Sequence, residues 1–395
     1  MKILMISDLA PPVVTGGIEN YIVNLSKELI RDGHEVHWLT SRLPDTLPEE
    51  DFEGIKIHRV CIPFSGHYMF PGRQMFFLTS LIKGIKLAKK MDVVHVNTLV
   101  PGFLGWLIAK YSGRPSLLFC HEFYGSLWKK VGQNLFEKYV YPIFEKLTST
   151  APYDWFACPS IYSKQSLRNY GIPDKKITVI PHGVDRKLFN ESNNPIDYKN
   201  KYGLSNNPIF GYLGRLSTKG TGQAKNLISL LEATKFVVEK IPNAKLVLGG
   251  SGFEHLTKHI VRFNVKKNVV NVGRIPKNNG PSFLKMCDVV VCPAVSDGFC
   301  FLLAEASACG IPVVGTNRGS HEERIENNKN GIITDVDPQS LANGIIKILQ
   351  DPEFGNKLGK NGIAFTKDLD RRDSAKKHVE IYKKLLNEHS HTYLK

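Results

Sequence analysis

Several common functional signatures are missing from this 395-residue sequence. It contains no CxxC pair, no HExxH motif and no local group of cysteines and histidines, which argues against a structural zinc site of ordinary spacing and against a zinc hydrolase. A GxGxxG fingerprint is also missing. The predicted second strand ends in Trp38, Leu39 and Thr40 without an acid to hold a ribose, so a dehydrogenase is disfavoured. The sequence predicts neither a metal nor a bound cofactor.

Disulfide bonds and membrane spans are not expected either. The seven cysteines are scattered and odd in number, which is typical of a reduced, cytoplasmic protein. No run approaches the roughly 20 apolar residues of a spanning helix. The first apolar run ends at Asp8, so we interpret it as a strand rather than a signal peptide. Any membrane contact is therefore expected to be peripheral, at the inner face of the membrane.

Acidic residues are scarce relative to basic ones. The net charge is +15, and residues 54–146 hold 13 Lys and Arg against 4 Asp and Glu. Within this stretch, basic and apolar residues alternate in a pattern that suits contact with an anionic membrane. The basic members are Arg73, Lys83, Lys86, Lys89 and Lys90, and the apolar members are Phe70, Met75, Phe76, Phe77, Leu78, Leu81, Ile82 and Ile85.

Two other readings of this charge remain open. Leu78, Leu81, Ile82 and Ile85 also have the spacing of a helix that packs on a sheet with its lysines in solvent. Binding to nucleic acid is the weaker alternative, because the sequence has no recognised nucleic-acid motif and no basic block of five or more residues. We therefore expect no nucleic acid among the partners.

The length suits two domains, and β-branched runs alternate with helical patterns throughout the chain. This alternation predicts an α/β fold with parallel sheets. The predicted strands of the first series are Lys2–Ser7, Glu35–Thr40, Val93–Asn97, Ser116–Cys120, Trp155–Cys158 and Thr178–Ile180. Those of the second are Ile209–Leu213, Lys245–Leu248, Val269–Val272, Val289–Cys292 and Pro312–Gly315.

The domain boundary is predicted near residue 183, before a polar stretch from Glu191 to Asn207. We expect two Rossmann-like, doubly wound domains over residues 1–183 and 184–370. A last amphipathic helix from Arg371 to Glu388, within residues 371–395, is expected to pack back across the junction. Ligands of open parallel sheets bind beyond the carboxyl ends of the strands, so two such domains would face a common cleft.

Two acids after the strand that ends at Cys292 form the most informative motif. Asp297 and Glu305 lie eight residues apart across a turn into a helix, where carboxylates are suited to accept hydroxyl hydrogen bonds from a sugar and a ribose. Gly298 allows the backbone to approach a ligand, and the amides of Phe299, Cys300 and Phe301 are expected to be free donors for a phosphate. An ordinary buried helix with acids near its amino terminus is the alternative.

Basic residues follow the strand at Ile209–Leu213 in a glycine-containing loop. Arg215 and Lys225 are predicted to neutralise a diphosphate, and the charge that grows on it if it is a leaving group. Lys219 competes with Lys225 for this role. Lys225 is favoured because it starts the apolar periodic run of the next helix.

Further candidates also follow predicted strands. His121 comes directly after the strand that ends at Cys120, with no serine or cysteine partner for a nucleophilic triad. Gly16 and Gly17 open the first helix, and Gly250 follows the strand that begins at Lys245. Arg274 lies in the segment where contacts to a nucleotide base are expected.

Five motifs in this order resemble those of a retaining glycosyltransferase of family 4, with the GT-B fold. They are GGIE at 16–19, CHE at 120–122, IPHGVD at 180–185, GRL at 214–216 with AKN at 224–226, and DGFCFLLAEASACGIPVV at 297–314. The similarity continues through Gly319 to Gly331 and so covers nearly the whole chain.

The resemblance implies roles for individual residues. Glu305 would hold the donor ribose, Asp297 the donor sugar, and Arg215 and Lys225 the diphosphate, with His121 beside the transferred sugar. Gly17 would approach donor phosphate or acceptor. The family usually has glutamate at position 297, and its loop between the two basic residues is usually shorter.

By this resemblance the protein would transfer a hexose from a UDP-sugar or GDP-mannose to a hydroxyl acceptor. The acceptor would be lipid-linked or a cell-surface glycan intermediate. The leaving diphosphate would take the proton of the incoming hydroxyl on the same face, without a metal. This fits the lack of two acids at glycosidase spacing. A nucleotide-sugar epimerase and a non-catalytic nucleotide-sugar-binding protein are the alternatives on the same fold.

Overall fold

The computed structural model describes residues 1–12, 16–61, 72–97, 101–132, 134–193 and 196–392. The chain forms two compact units. Unit 1 comprises residues 1–125, 139–182 and 371–395, and unit 2 comprises residues 126–138 and 183–370. The principal divisions along the chain thus fall at 182/183 and 370/371.

The sheet of unit 1 has eight strands in the order β3-β4-β2-β1-β5-β6-β7-β8. All of its pairs are parallel except β3 with β4. The strands are β1 (Lys2–Ile6), β2 (Glu35–Arg42), β3 (Glu49–Phe52), β4 (Ile55–Cys61), β5 (Val93–Asn97), β6 (Ser116–Phe119), β7 (Trp155–Cys158) and β8 (Ile177–Val179). Apart from Lys2, the residues of β1, β5 and β6 are almost fully buried, as expected for parallel strands covered on both faces.

Six helices lie between residues 17 and 169 of the described chain. They are α1 (Gly17–Arg31), α2 (Gly72–Ala88), α3 (Gly102–Ser112), α4 (Trp128–Val131), α5 (Leu135–Thr150) and α6 (Ile161–Asn169). The short helix α4 and residues 135–138 of α5 belong to unit 2. Helix α6 begins at a conventional cap, because the Ser160 hydroxyl accepts a hydrogen bond from the amide of Ser163.

The sheet of unit 2 has six parallel strands in the order β11-β10-β9-β12-β13-β14. The strands are β9 (Ile209–Leu213), β10 (Lys245–Gly249), β11 (Val269–Gly273), β12 (Val289–Cys292), β13 (Val313–Thr316) and β14 (Ile332–Thr334). The remaining helices of this unit are α7 (Tyr198–Lys201), α8 (Leu227–Lys240), α9 (Thr257–Arg262), α10 (Gly280–Met286), α11 (Phe301–Ala308), α12 (Pro338–Gln350) and α13 (Pro352–Phe365). The order of the strands along the sheet changes direction between β9 and β12. Open parallel sheets commonly bind ligands at such a position.

The last helix, α14 (Arg371–Thr392), belongs to unit 1. Ala375, Tyr382 and Leu385 are buried in it. Its His378 Nε2 is hydrogen-bonded at 2.7 Å to the Tyr21 hydroxyl of α1, and Arg371 Nε donates to Glu28 at 2.8 Å. The predicted amphipathic helix therefore exists, and its buried face packs on unit 1.

The α/β class and all eleven predicted strands are confirmed, most of them within one residue at each end. Strands β3, β4 and β14 were not predicted. Strand β3 reads EEDF, which lacks the apolar alternation that marks a strand, and it pairs at the edge of the sheet.

The basic amphipathic segment forms α2, and its apolar residues divide into two sets. Leu81 and Ile85 pack against the core of unit 1, whereas Leu78 and Ile82 are 67% and 70% exposed. Phe70 and the side chains of Arg73, Met75 and Phe77 lie outside the described residues. Within the described part of the chain, no helix combines the length and apolar character needed to cross a membrane.

Candidate functional site

The centre of the candidate site in unit 2 is an ion pair between Lys225 and Asp297. Lys225 Nζ donates to Asp297 Oδ2 at 2.6 Å, and the two side chains retain 28% and 15% of their exposure. Both residues follow neighbouring strands, β9 and β12, on the carboxyl side of the sheet. The fold thus brings together two predicted residues that are 72 positions apart.

The backbone of two loops holds Lys225 in place. The Val295 amide donates to the Ala224 carbonyl at 2.8 Å, and the Asn226 side chain donates to the Pro293 carbonyl at 3.1 Å. Asn226 has φ 53°, so the chain turns sharply from the short 3-10 helix of residues 220–225 into α8. Lys219, in contrast, has an exposed side chain at the start of this turn. Loop geometry therefore favours Lys225 over Lys219 as the residue that faces Asp297.

Asp297 also closes its own turn. Its Oδ1 accepts hydrogen bonds from the amides of Phe299 at 3.2 Å and Cys300 at 2.7 Å. The expectation that these two amides are free to bind a phosphate is therefore not met. The side chain of an aspartate commonly accepts hydrogen bonds from the backbone amides two and three residues further along the chain.

The loop after β13 fixes the Asp297 backbone. The Ser320 amide donates to the Asp297 carbonyl at 2.9 Å. Gly319 has φ 64°, and a Cβ there would lie 2.7 Å from the Asp297 amide nitrogen. Glycine is therefore required at position 319 both for the turn and for the close approach.

The electrostatic environment keeps Asp297 ionised. Burial alone would raise the pKa of Asp297, but the positive charge of Lys225 and the proximity of His321 outweigh this effect and lower the pKa below its ordinary value. The carboxylate is therefore available as a hydrogen-bond acceptor at neutral pH.

Glu305 has a different environment, on the second turn of α11. Its side chain is partly buried, and burial raises its pKa to about 7, with Lys277 opposing and Asp185 adding to the shift. The two acids of the motif consequently differ in charge near neutral pH. Asp297 is ionised, and Glu305 lies near the midpoint of its titration.

The other candidates of unit 2 lie around the ends of β9, β10 and β11. Arg215 and Arg274 have exposed side chains. Gly250 has φ 140°, and a Cβ at this position would lie 1.8 Å from the Gly214 carbonyl oxygen, so its backbone packs directly on the segment that leads to Arg215. Gly298 is buried between Asp297 and Phe299, and Phe301 begins α11.

Asp297 and three other residues form a group that the spacing along the sequence does not reveal. The ligand-type atoms of Cys292, Asp297, Cys300 and His321 all lie within 4.8 Å of one another. Cys300 Sγ donates to Cys292 Sγ at 3.2 Å, and this hydrogen bond is the main cause that lowers the pKa of Cys292. Cysteine and histidine residues spread over 30 positions carry no local signature, and the fold alone assembles them.

In unit 1, His121 is buried at the carboxyl end of the sheet. Its Nε2 is hydrogen-bonded to Asn97 Oδ1 at 3.2 Å and its Nδ1 to His182 Nε2 at 3.3 Å. Burial, followed by the influence of His378, lowers the pKa of His121 to about 3. The ring is therefore neutral at physiological pH and can act as a hydrogen-bonding group but not as a cation.

His121 belongs to a larger aromatic cluster. The Tyr21 ring lies 4.9 Å from His121 and 4.4 Å from His182, and the Phe119 ring lies 4.8 Å from His121. His182 comes from the predicted IPHGVD motif and His378 from α14. The sequence motif contains His182, but nothing in the spacing along the chain identifies His182 or His378 as neighbours of His121.

Gly16 and Gly17 open α1, as predicted, and both are exposed. A Cβ on Gly16 would lie 3.2 Å from Glu19 Oε2. Residues 13–15, directly before this pair, lie outside the described residues.

Family models match both parts of the chain. The model described as Glycosyltransferase Family 4 matches residues 15–188, and the model described as Glycosyl transferases group 1 matches residues 196–365. Similar proteins include an uncharacterized glycosyltransferase of Methanocaldococcus jannaschii, 28% identical over 97% of this chain and 98% of that protein. Another is the UDP-Gal:alpha-D-GlcNAc-diphosphoundecaprenol alpha-1,3-galactosyltransferase of Escherichia coli, 26% identical over 80% of this chain and 85% of that protein.

Solved structures share the fold along the whole chain. Sucrose-phosphate synthase from Thermosynechococcus elongatus has a TM-score of 0.83 at 23% identity, covering 98% of this chain and 99% of that one. Anabaena Alr3699/HepE in complex with UDP and glucose has a TM-score of 0.80 at 21% identity, covering 97% of this chain and 100% of that one. The fold is thus GT-B, and the chain belongs to glycosyltransferase family 4, a retaining family whose members transfer a sugar from a nucleotide-sugar donor.

Proposed function

We propose that the protein transfers a hexose from a UDP-sugar to the hydroxyl of a lipid-linked acceptor, with retention of anomeric configuration. Unit 2 binds the donor and unit 1 the acceptor. The observation that carries this proposal is the Lys225–Asp297 pair at 2.6 Å, next to the helix that bears Glu305. The uridine base is favoured over guanine by the donor named for the Escherichia coli relative.

Each polar part of the donor, whether hydroxyl or phosphate, has a complementary group in unit 2. Glu305 accepts hydrogen bonds from the ribose hydroxyls, and Asp297 accepts them from the sugar. Lys225 exchanges part of its contact with Asp297 for the diphosphate, and Arg215 supplies the second positive charge. Gly250, Gly298 and Phe301 contribute backbone near the phosphates, and Arg274 lies beside the base.

The leaving diphosphate becomes more negative as the bond to the sugar breaks. Arg215 and Lys225 stabilise this charge, and the diphosphate oxygen accepts the proton of the incoming hydroxyl on the same face of the sugar. Since side chains provide the neutralising charge, turnover does not require Mg²⁺ or Mn²⁺. Neutral His121 acts as a hydrogen-bonding group toward the transferred sugar, and Gly16 and Gly17 contact the acceptor or the donor phosphate.

A lipid-linked acceptor is favoured by the surface of unit 1. Helix α2 exposes Leu78 and Ile82, and the unit 1 part of helix α5 exposes Tyr139, Ile143 and Leu147 at intervals of four residues. Such stripes suit the interface of a membrane, and the net charge of +9 over residues 54–146 favours anionic lipid. The diphosphoundecaprenol acceptor named for the Escherichia coli relative has the same chemistry.

The donor is tested by thermal stabilisation with a panel of UDP- and GDP-sugars, without added metal. A ligand at 100 times its Kd adds about 2.7 kcal/mol to the stability of the native state. We expect a shift with a UDP-sugar that is lost in Glu305→Ala and kept in Glu353→Ala, which removes an exposed acid of α13. A shift with GDP-mannose alone would reassign the base, and no shift with any sugar would contradict the ribose role of Glu305.

The reaction is tested by product analysis with and without an acceptor hydroxyl. Transfer predicts a glycosylated acceptor of unchanged anomeric configuration in the presence of EDTA. A free isomerised sugar that forms without acceptor would instead indicate an epimerase. Donor binding with no turnover on any acceptor would favour a non-catalytic nucleotide-sugar-binding protein.

A further inference from the structure

The cluster of Cys292, Cys300 and His321 next to Asp297 has no role in the transfer reaction described above. Each of the three side chains is almost completely buried in unit 2. Two sulfurs, one imidazole and one carboxylate present ligand atoms within 4.8 Å of one another. This donor set is typical of a site for a borderline or soft divalent cation.

A strand end and two loops assemble the cluster. Cys292 ends β12, Cys300 precedes α11, and His321 follows β13 in the short 3-10 helix of residues 321–323. Cys300 has φ 56° and ψ 74°, a left-handed conformation that is unfavourable for a residue with a Cβ. This conformation brings its sulfur to 3.2 Å from the sulfur of Cys292.

The ring of His321 is arranged as in metal-binding histidines. Its Nδ1 lies 3.1 Å from three atoms of Thr316, namely the carbonyl oxygen, the hydroxyl oxygen and the amide nitrogen, which donates to the ring in the other tautomer. In the tautomer whose Nδ1–H donates to the carbonyl or hydroxyl oxygen, the lone pair is on Nε2. The Nε2 atom is buried. Burial lowers the pKa of His321, but the neighbouring Cys292 sulfur raises it above its ordinary value, so the ring interacts directly with a member of the cluster.

We propose that Cys292, Cys300 and His321, with Asp297 as the fourth ligand, form a binding site for a thiophilic divalent cation of the Zn²⁺ type. Binding replaces the thiol protons, so that up to two protons are released to solvent as the metal–sulfur bonds form. The two thiolates and the carboxylate then balance the charges of the cation and of Lys225.

The two sulfurs need only a small adjustment to bind the same cation. With zinc–sulfur bonds of about 2.3 Å, two sulfurs of a tetrahedral site lie about 3.8 Å apart, so the sulfurs of Cys292 and Cys300 separate by roughly 0.5 Å. Asp297 Oδ1 accepts hydrogen bonds from the two amides, whereas Oδ2 accepts one from Lys225 and has a lone pair left for a cation. The ion would anchor the β12–α11 loop from the side of His321.

The proposal does not depend on the transferase reaction, so its test uses a readout other than turnover. The reduced full-length protein is titrated with Co²⁺ and with Zn²⁺. We expect one equivalent of Co²⁺ to produce intense near-ultraviolet thiolate-to-metal absorption that Zn²⁺ displaces. We expect the affinity for Co²⁺ to fall at least ~100-fold in Cys292→Ser and in His321→Ala. Loss of a residue that only supports a metal ligand typically costs less than this.

Cys287→Ser is the matched control. Cys287 is also buried in unit 2, but its sulfur donates to the Phe283 carbonyl and is not part of the cluster. Affinity in this variant should equal that of the wild type. Mapping of alkylated thiols on the wild type gives a second measurement that does not depend on the folding of any variant. Zn²⁺ should protect Cys292 and Cys300 and leave Cys287 unaffected.

Several outcomes would overturn the proposal. The site would be refuted by no stoichiometric binding of either ion to the reduced wild type, or by equal binding in Cys292→Ser. A disulfide between Cys292 and Cys300 on removal of reductant, in a protein whose reduced form binds neither ion, would show that the two sulfurs form a thiol pair instead.

Discussion

At the scale of single residues, the two acids of the donor motif differ because their surroundings differ. Lys225 holds the pKa of Asp297 below its ordinary value, whereas burial raises the pKa of Glu305 to about 7. Lys277 opposes the second shift, and Asp185 adds to it. The same chemical group is therefore a permanent anion at one position and a titrating group at the other.

Donor affinity should consequently depend on pH through Glu305. Only its ionised form accepts two ribose hydrogen bonds, so affinity is low below the pKa and high above it. With a pKa of about 7, the ionised fraction rises roughly tenfold between pH 6 and pH 8. We expect the Kd of the UDP-sugar to fall by up to this factor in calorimetric titrations. The diphosphate of a nucleotide sugar does not titrate in this range, and a Glu305→Gln variant with the same pH dependence would contradict the assignment.

The two lysines of the β9–α8 loop provide a second test at this scale. Lys225→Ala should lower kcat by roughly 10²-fold, since one donor that stabilises a developing charge contributes ~3 kcal/mol. Lys219→Ala removes the same charge from the same loop at an exposed position and should change kcat less than twofold. Steady-state kinetics on both variants measure the contrast. Equal losses would assign the diphosphate role to the loop as a whole.

At the scale of elements, tight backbone contacts between strand ends shape the donor site. Gly250→Ala would place a Cβ 1.8 Å from the Gly214 carbonyl oxygen in a left-handed conformation. We expect a loss of about 3 kcal/mol in the free energy of unfolding, from overpacking and backbone strain together.

Gly203→Ala is the control for this change. Gly203 also has a positive φ, of 65°, but a Cβ there would meet open space. The free energy of unfolding should fall by only about 1–2 kcal/mol, which is the strain of placing a residue with a Cβ at a positive φ. Denaturant unfolding measures both variants, and equal losses would show that the contact with Gly214 is not responsible.

The exposed apolar stripes of α2 and α5 predict binding to anionic vesicles. Ile82→Ser and Ile143→Ser should each weaken binding roughly tenfold, because burial of an isoleucine side chain contributes about 1.5–3 kcal/mol when complete. Val261→Ser removes a similarly exposed apolar residue from unit 2 and should have no effect. Cosedimentation with vesicles of anionic or neutral lipid measures this. Unchanged binding in both isoleucine variants would refute the membrane role of the stripes.

At the scale of the whole molecule, the chain returns to unit 1 through α14 after residues 183–370 of unit 2. Tyr382 in this helix is fully buried, and its hydroxyl is hydrogen-bonded to His95 Nδ1 at 2.6 Å. The last segment of the chain is therefore part of the core around His121, although 287 residues separate His95 from Tyr382.

Truncation of this side chain should destabilise unit 1. Tyr382→Ala should lower the free energy of unfolding by about 3–5 kcal/mol, as for other large aromatic side chains in cores. It should also remove the hydrogen-bond partner of His95 Nδ1. Lys383→Ala, at the exposed neighbouring position, should cost less than about 0.5 kcal/mol. Thermal or denaturant unfolding measures the difference, and a similar small effect of both changes would contradict the role of α14 in the core.

The sequence by itself determined the α/β class, the family and the positions of most strands. Strands are marked by alternating or continuous apolar residues, a pattern that can be recognised over a few neighbouring positions. Asp297 and Glu305 likewise lie within one short motif. Their placement after predicted strands was enough to propose a nucleotide-sugar site.

Only the tertiary structure decided which residues meet. Strand β3 was not predicted, because its pairing with β4 makes it a strand and its composition, EEDF, does not. Lys225 rather than Lys219 reaches Asp297 because two loops are hydrogen-bonded, and Asp297 occupies amides that were expected to be free. The raised pKa of Glu305 and the grouping of Cys292, Cys300 and His321 depend on burial and on contacts between distant segments. These are properties of the packed chain that spacing along a sequence does not encode.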